Sequence, residues 1–304
     1  MTYTYTAYGL TLQIPFPCPA LPNVSVDTSP DITLAYGTVP LDIPEVVAAD
    51  DSWDMGYCWQ AAPQRFLLKT GLLAGRFMVE NGRRIILERN PAAKDERIIF
   101  HLLHSVIAAV MRQRGILVLH AAVVLTPSGV VVLSGKSGAG KSTTLAALLQ
   151  RGCAMIADDI AVLHFGETGN VEVLPGIAQM HLWGDAAMRL GMNTAGLASH
   201  PLRHRKLTVA APAGAAELPT GHFPLRAIYL LECNVDGKIS VSTLTGADKF
   251  ASLQDCVYGP MLPDEHPGLF RLFSAVAAQA DVHRIIRPKD VWTVDDVAEV
   301  ILNG

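Results

Sequence analysis

The run Gly135-Lys136-Ser137-Gly138-Ala139-Gly140-Lys141-Ser142-Thr143 sets two glycines five positions apart and follows them with Lys and Ser. That spelling is a phosphate-binding loop. Its backbone N–H groups must curl around phosphate oxygens, and glycine enters the required φ > 0 turns without a Cβ clash. In such a loop Lys141 reaches the β- and γ-phosphates, Ser142 ligates Mg²⁺, and the helix that starts here aims its positive end at the anion. The expected phosphoryl donor is ATP, although the loop pattern itself does not separate ATP from GTP. Lys136, Ser137, Ala139 and Thr143 complete the cradle by their backbone positions.

A second constellation follows the loop. Asp158-Asp159 stands between two short apolar runs, Cys153 to Ala157 and Ile160 to Leu163. Two adjacent carboxylates inside such a stretch cost too much to be ornament. One can hold Mg²⁺, and the other can accept or orient the proton of an attacking hydroxyl.

The elements that must position these groups are legible around them. Val130-Val131-Val132-Leu133 is a β-branched run suited to a buried strand, and Thr144 to Arg151 places Leu145, Leu148 and Leu149 at helical spacing before Gly152, a natural C′ residue. The compact strand–helix–strand order predicts a right-handed unit that brings Asp158-Asp159 near the loop. Leu117 to Leu125 forms the other arm of a hairpin closed by Pro127-Ser128-Gly129. Setting Thr126 against Val130 puts Val123 against Leu133 and His120 against Lys136, so His120 lands at the mouth of the loop. The competing reading of His120 is a core histidine.

Further upstream the chain is β-rich. Thr2 to Ile14 is aromatic and β-branched, and Asn81-Gly82 between Arg76–Glu80 and Arg83–Glu88 is a strong type I′ hairpin signal. Ile98 to Met111 reads as a helix with Ile98, Leu102, Val106 and Val110 on its apolar face. His101 and His104 sit three apart on it, with no carboxylate or cysteine partner nearby in sequence to suggest a metal. The predicted organisation is α/β: a smaller β-rich domain over 1–95 and a loop-bearing domain over 96–304.

Composition narrows the function classes. The 304 residues are 50% hydrophobic with a net charge of −4, enough for a large core and without the basic stripe that nucleic acid or an anionic membrane would require. Five scattered cysteines without CxxC spacing suggest neither a disulfide framework nor a zinc site, which fits reduced thiols in a cytoplasmic protein. The start, MTYTYTAYGL, has no basic and apolar signal pattern, and the most apolar stretch, 116–133, is broken by His120 and Pro127-Ser128-Gly129. The expectation is a soluble protein.

Taken together, LHAAVV, LSGKSGAGKST and the ADD seventeen residues after Lys141 resemble the HPr serine kinase/phosphorylase superfamily. The resemblance implies a P-loop kinase domain of the HPr kinase type. It also implies roles: Asp158 as base assisted by His120, Asp159 and Ser142 at the metal, and Lys141 on the phosphates. Weaker likeness through Val173-Leu174-Pro175-Gly176, His181-Leu182-Trp183 and Arg205-Lys206-Leu207 resembles the branch that modifies peptides, notably lasso peptide kinases, which phosphorylate a C-terminal serine. Lys206 would then be a second cation near the phosphates. The glutamate, Gly and Arg signature of the true phosphorylases is not found between Gly176 and Gly221. The implied partners are a nucleotide and a peptide ending in serine, and the enzymes it resembles often assemble into homo-oligomers. A phosphocarrier-protein or small-molecule kinase, or a nucleotide-binding regulatory module without catalysis, are the alternatives.

Overall fold

The computed structural model describes residues 1–24, 29–54, 56–210, 221, 223–235, 237–258 and 267–304. It is a mixed α/β structure whose contacts divide into two compact units, one built on Met1–Leu117 together with 267–270 and the other on 118–258 with Arg271–Gly304. The helical segment after residue 95 falls in the first of these. Among the described residues no helix is long and apolar enough to cross a membrane.

The first unit is one eight-stranded sheet with helices. Its strands are β1 (Tyr3–Ala7), β2 (Leu10–Ile14), β3 (Ile32–Tyr36), β4 (Ala48–Asp50), β5 (Cys58–Ala62), β6 (Arg65–Lys69), β7 (Gly75–Glu80) and β8 (Arg84–Arg89), in the order β1-β2-β3-β8-β7-β6-β5-β4. The turn between β7 and β8 has Asn81 at φ 54° and Gly82 at φ 59°, closed by Arg83 N–H donating to Glu80 O at 3.1 Å. Positive φ at both central residues is what a type I′ turn requires and why Asn-Gly occupies it. The side chain of Gln113 accepts the Gly82 N–H at 2.7 Å, and Arg114 donates to Gly82 O at 3.1 Å, so the end of the helical segment locks this turn.

That segment comprises α1 (Asp95–His101), a π-helical turn (Leu102–Val106) and α2 (Ile107–Gln113). Ile98, Leu102, Val106 and Val110 are all at most 1% exposed. A row spaced every four residues drifts by about 40° per step around an α-helix, because four residues overshoot the 3.6-residue turn. The wider π turn takes up part of that drift and keeps the row on one buried face.

The second unit is built around a six-stranded mixed sheet. Its elements are β9 (Leu117–Leu119), β10 (Ala121–Thr126), β11 (Gly129–Ser134), α3 (Lys141–Gln150), β12 (Ala154–Ala157), β13 (Ala161–Phe165), β14 (Val171–Leu174), β15 (Gln179–Trp183), α4 (Gly184–Arg189), β16 (Lys206–Ala210), β17 (Leu225–Asn234), β18 (Ser240–Thr243), α5 (Gly246–Gln254), α6 (Pro267–Gln279), β19 (Asp281–Pro288) and α7 (Val294–Asn303). The main sheet runs β12-β10-β11-β17-β19-β18, flanked by a β14-β13-β9 sheet and a β15-β16 ribbon. β11, β17 and β19 are parallel neighbours, and the apolar run of β17 has the composition of a strand covered on both faces. Leu145, Ala146 and Leu148 of α3 and Val294, Val297 and Ile301 of α7 share one core with Val131, Leu133, Tyr229 and Ile285 of that sheet. α3 ends at Gly152 in the left-handed conformation, φ 87°, with Cys153 N–H returning to Leu148 O at 3.2 Å.

Two sequence expectations change here. The β10–β11 hairpin pairs Thr126 with Gly129, Val123 with Val132 and Ala121 with Ser134, one residue away from the expected register. The cause is local. Gly129 at φ 127° joins the strand, leaving a two-residue turn, and Thr126 Oγ1 holds it by accepting the Ser128 N–H at 3.3 Å and donating to Gly129 O at 2.9 Å. Second, the arm expected from Leu117 to Leu125 breaks at His120: β9 joins the β14-β13-β9 sheet, and β10 alone forms the hairpin, lying antiparallel between β11 and β12.

The helical segment also carries an anomaly. His101 is fully buried, with neither ring nitrogen hydrogen-bonded, and it packs edge-on against Tyr57 and Phe100 at 5.8 and 5.6 Å. Burial first, then the charges of His104 and Arg97, push its pKa from 6.5 down to about 4. Below 6.5 the unfolded chain therefore binds a proton that the fold refuses, and stability is lost as pH falls through that window. His101→Leu is expected to raise the melting temperature more at pH 5 than at pH 8. An equal loss at both values would show that the imidazole is held by contacts that outweigh its desolvation.

Candidate functional site

The loop between β11 and α3 has its backbone set by glycines that no other residue could replace without displacement. Gly135 sits at φ 144°, and a Cβ there would fall 2.3 Å from the carbonyl oxygen of Leu231 on β17. Gly140 at φ 105° is the residue before α3, and a Cβ there would meet the Arg287 guanidinium at 3.1 Å. Arg287, at the end of β19, donates from Nε to Ala139 O at 3.1 Å and so braces the loop from behind. Lys136, Ser137 and Gly138 are exposed at the crest, whereas Ala139 is buried. Lys141 folds back across the loop and donates from Nζ to Gly135 O at 2.7 Å. No side chain caps α3, so its first N–H groups face the loop interior as donors for an anion.

Asp158 and Asp159 lie in the turn that carries the chain from β12 to β13, two strands of different sheets. Asp159 has φ 64°, and Ile160 N–H donates to Asp158 O at 2.8 Å, the i to i+2 bond of a γ-turn. A non-glycine residue in this region is strained, and such strain concentrates at functional sites. The turn splays the two carboxylates apart. Ser142 Oγ donates to Asp158 Oδ1 at 3.2 Å, and the backbone N–H of His181 donates to Asp158 Oδ2 at 3.1 Å. Asp159 Oδ2 instead meets the His181 ring, with Nδ1 at 3.1 Å. Ser142 is thus brought to Asp158, where the resemblance implied Asp159.

His120 follows β9 with its N–H donating to Cys256 O at 2.8 Å and its own carbonyl accepting from Ser134 Oγ at 3.0 Å. Despite the shifted hairpin register, its imidazole comes to the carboxylate turn and hydrogen-bonds the backbone of Asp159. Burial, then the charge of Lys141, lowers its pKa to about 4, so the ring is neutral at physiological pH. Asp158 moves the other way. Burial first and the Asp159 charge second raise it to about 7. Lys141 is lowered by burial, against the attraction of Asp159 and Asp158.

Lys206 opens β16 opposite Trp183 of β15, with Nζ 5.8 Å from the indole centroid. Its charge acts on Asp158, Lys141 and His120 together, which sets it on the rim of the same cluster. The structure therefore gathers His120, Lys141, Ser142, Asp158, Asp159 and Lys206 within one unit.

It adds residues to which sequence reasoning gives no role. His181 engages both carboxylates, His200 packs against the His181 ring at 4.5 Å, Arg203 donates to Ser137 Oγ at 3.1 Å, and Arg287 supports the loop. All four reach the site from strands or loops distant in sequence. His181 stands in the His181-Leu182-Trp183 segment already marked by its likeness, though without a role, and Arg287 carries a signal as a cation at the carboxyl end of a strand beside those that lead to the loop.

The donor set suits a hard divalent cation. Ser142 Oγ and Asp158 Oδ1 are oxygen donors on one edge of the loop, and a buried carboxylate whose ionisation is otherwise opposed is well matched to a cation. No family model matches this chain, and no curated protein matches it. Among solved structures it is similar to the Hpr(Ser) kinase/phosphatase from Coxiella burnetii, at 14% identity and a TM-score of 0.32, over 61% of this chain and 86% of that one. At that TM-score the likeness assigns no activity.

Proposed function

We propose that the chain is a Mg·ATP-dependent phosphotransferase whose acceptor is a serine hydroxyl of a peptide, at the peptide's C-terminus. The observation that carries the phosphotransferase reading is the convergence of Lys141, Ser142, Asp158, Asp159 and His120 on one loop mouth. A module that only senses nucleotide needs the lysine and the serine. It has no use for a second strained carboxylate beside them.

In this reading the loop N–H groups and Lys141 hold the β- and γ-phosphates. Ser142 and Asp158, in contact at 3.2 Å, would hold Mg²⁺, and its chemistry would be charge neutralisation on the transferring phosphoryl group. Asp159 accepts the proton as the serine oxygen bonds to the γ-phosphorus and the bond to the β,γ-bridging oxygen breaks, leaving ADP. His181 orients the Asp159 carboxylate, and neutral His120 steadies the turn through the Asp159 backbone. This exchanges the roles that the family resemblance implied for the two aspartates. The peptide acceptor rests on the likeness of the 173–176, 181–183 and 205–207 segments to the peptide-modifying branch.

Lys141→Ala is expected to abolish transfer and weaken ATP binding, because it removes the one side-chain charge of the loop that folds across its mouth. The aspartates should separate by readout. Asp159→Asn should keep Mg·ATP affinity and lose roughly 10²-fold or more in turnover, while Asp158→Asn should weaken the Mg²⁺-dependent part of ATP binding. The opposite partition would return the base to Asp158. For the acceptor, a peptide ending in Ser, the same peptide ending in Ala and a phosphocarrier protein should be incubated with Mg·ATP. A phosphoryl mass gain confined to the Ser-ended peptide is expected, and a gain on the phosphocarrier alone would contradict the peptide reading.

Asp158 also makes a stability prediction. Its folded pKa, about 7, lies above the ordinary 3.8, so the protonated form stabilises the fold at low pH and that stabilisation is lost as pH rises through about 7. In the presence of a chelator, Asp158→Asn should therefore raise the melting temperature by more at pH 8 than at pH 4. A gain independent of pH would mean that the carboxylate is solvated in the fold.

A further inference from the structure

We propose that Arg203 reads the terminal phosphate of the bound nucleotide, exchanging its bond to Ser137 for one to a γ-phosphoryl oxygen, a step that rests on the phosphotransferase reading above. Arg203 belongs to the segment that returns the chain to β16, and its Nη1 donates to Ser137 Oγ at 3.1 Å on the exposed crest of the loop. A guanidinium anchored on the rim of a phosphate loop is a short side-chain rotation from the loop interior. Ser137 offers this Nη1 a neutral hydroxyl, whereas a terminal phosphoryl group is anionic and presents paired oxygens that fit the guanidinium fork.

The backbone beneath Arg203 is held on both sides. His200, 4% exposed, accepts the N–H groups of Leu202 and Arg203 on Nδ1 at 3.0 Å each, which fixes the ring proton on Nε2. Arg203 O accepts the Lys206 N–H at 2.8 Å, and Lys206 O accepts the His200 N–H at 2.9 Å. The resulting closed turn is a rigid base for a long side chain. It is also joined to the rest of the site, because the His200 ring packs edge-on against His181, which holds Asp159. A terminal phosphate bound by Arg203 would thus be registered by the same framework that orients Asp159. His200 acts here as a positioning residue.

Selectivity between nucleotides is the readout, since ADP lacks the group that Arg203 would read. ATP and ADP, each with Mg²⁺ and without acceptor, should be titrated calorimetrically into wild type, Arg203→Ala, Arg203→Lys, His200→Leu and His200→Asn. Arg203→Ala is expected to weaken ATP by about tenfold or more while leaving ADP within about twofold, with Arg203→Lys between it and wild type. His200→Leu should reproduce the loss, and His200→Asn should spare it because the amide oxygen can accept the same N–H groups. Equal losses for ATP and ADP in Arg203→Ala, or no loss for either, would overturn the inference while leaving the phosphotransferase reading standing. A wild-type protein that binds neither nucleotide would overturn both.

Discussion

The bond from Ser142 to Asp158 ties the first turn of α3 to the turn that follows β12, and most of the site hangs on that link. α3 starts where it does because Gly140 ends the loop, and β12 lies beside the loop's own strand only through β10. Joining those two ends by a hydroxyl and a carboxylate closes a part-buried volume that also contains Lys141. One ammonium and two carboxylates in such a volume attract strongly at short range, yet each resists desolvation. The opposed shifts of Asp158 and Lys141 are the physical trace of that conflict.

Strain and support are distributed around this link in a consistent way. The γ-turn at Asp159 costs conformational energy, on the order of 1–3 kcal/mol for such backbone geometry, and persists only because neighbours over-determine it. Those neighbours are identifiable: His181 holds both carboxylates, and His120 holds the Asp159 backbone. On the other side, the carbonyl of Leu231 leaves no room for a side chain at Gly135, and at Gly140 a side chain would press on the Arg287 guanidinium in a backbone conformation, φ 105°, that favours glycine. The loop and the carboxylate turn are each fixed by elements of the sheet, which lets the groups of the proposed site be pre-organised instead of gathered by ligand binding.

What was legible in the sequence was what short-range chemistry dictates. The loop spelling, the buried strand before it, the Gly152 stop and the Asn81-Gly82 turn are local requirements of backbone conformation, and they can be read within a few residues. The buried row of Ile98, Leu102, Val106 and Val110 was visible as periodicity, although the π turn that keeps it aligned was not. The hairpin register was off by one because Gly129 could serve either as turn or as strand, and only its pairing with Thr126 decides. Which aspartate faces Ser142 depends on the positive φ at Asp159, and nothing in the pair Asp-Asp announces that conformation. The roles of His181, His200 and Arg203 are hidden for a different reason: their partners lie 22 residues away for His181 and Asp159, and 66 for Arg203 and Ser137.

In this reading a divalent cation on the Ser142–Asp158 edge completes the nucleotide site. Titrating ATP into wild type and Ser142→Ala at increasing Mg²⁺, following binding alone, examines that edge. ATP affinity in the wild type should rise with Mg²⁺, and that dependence should be largely lost in Ser142→Ala. ATP binding that ignores Mg²⁺ in the wild type, or an unchanged Mg²⁺ dependence in Ser142→Ala, would contradict it.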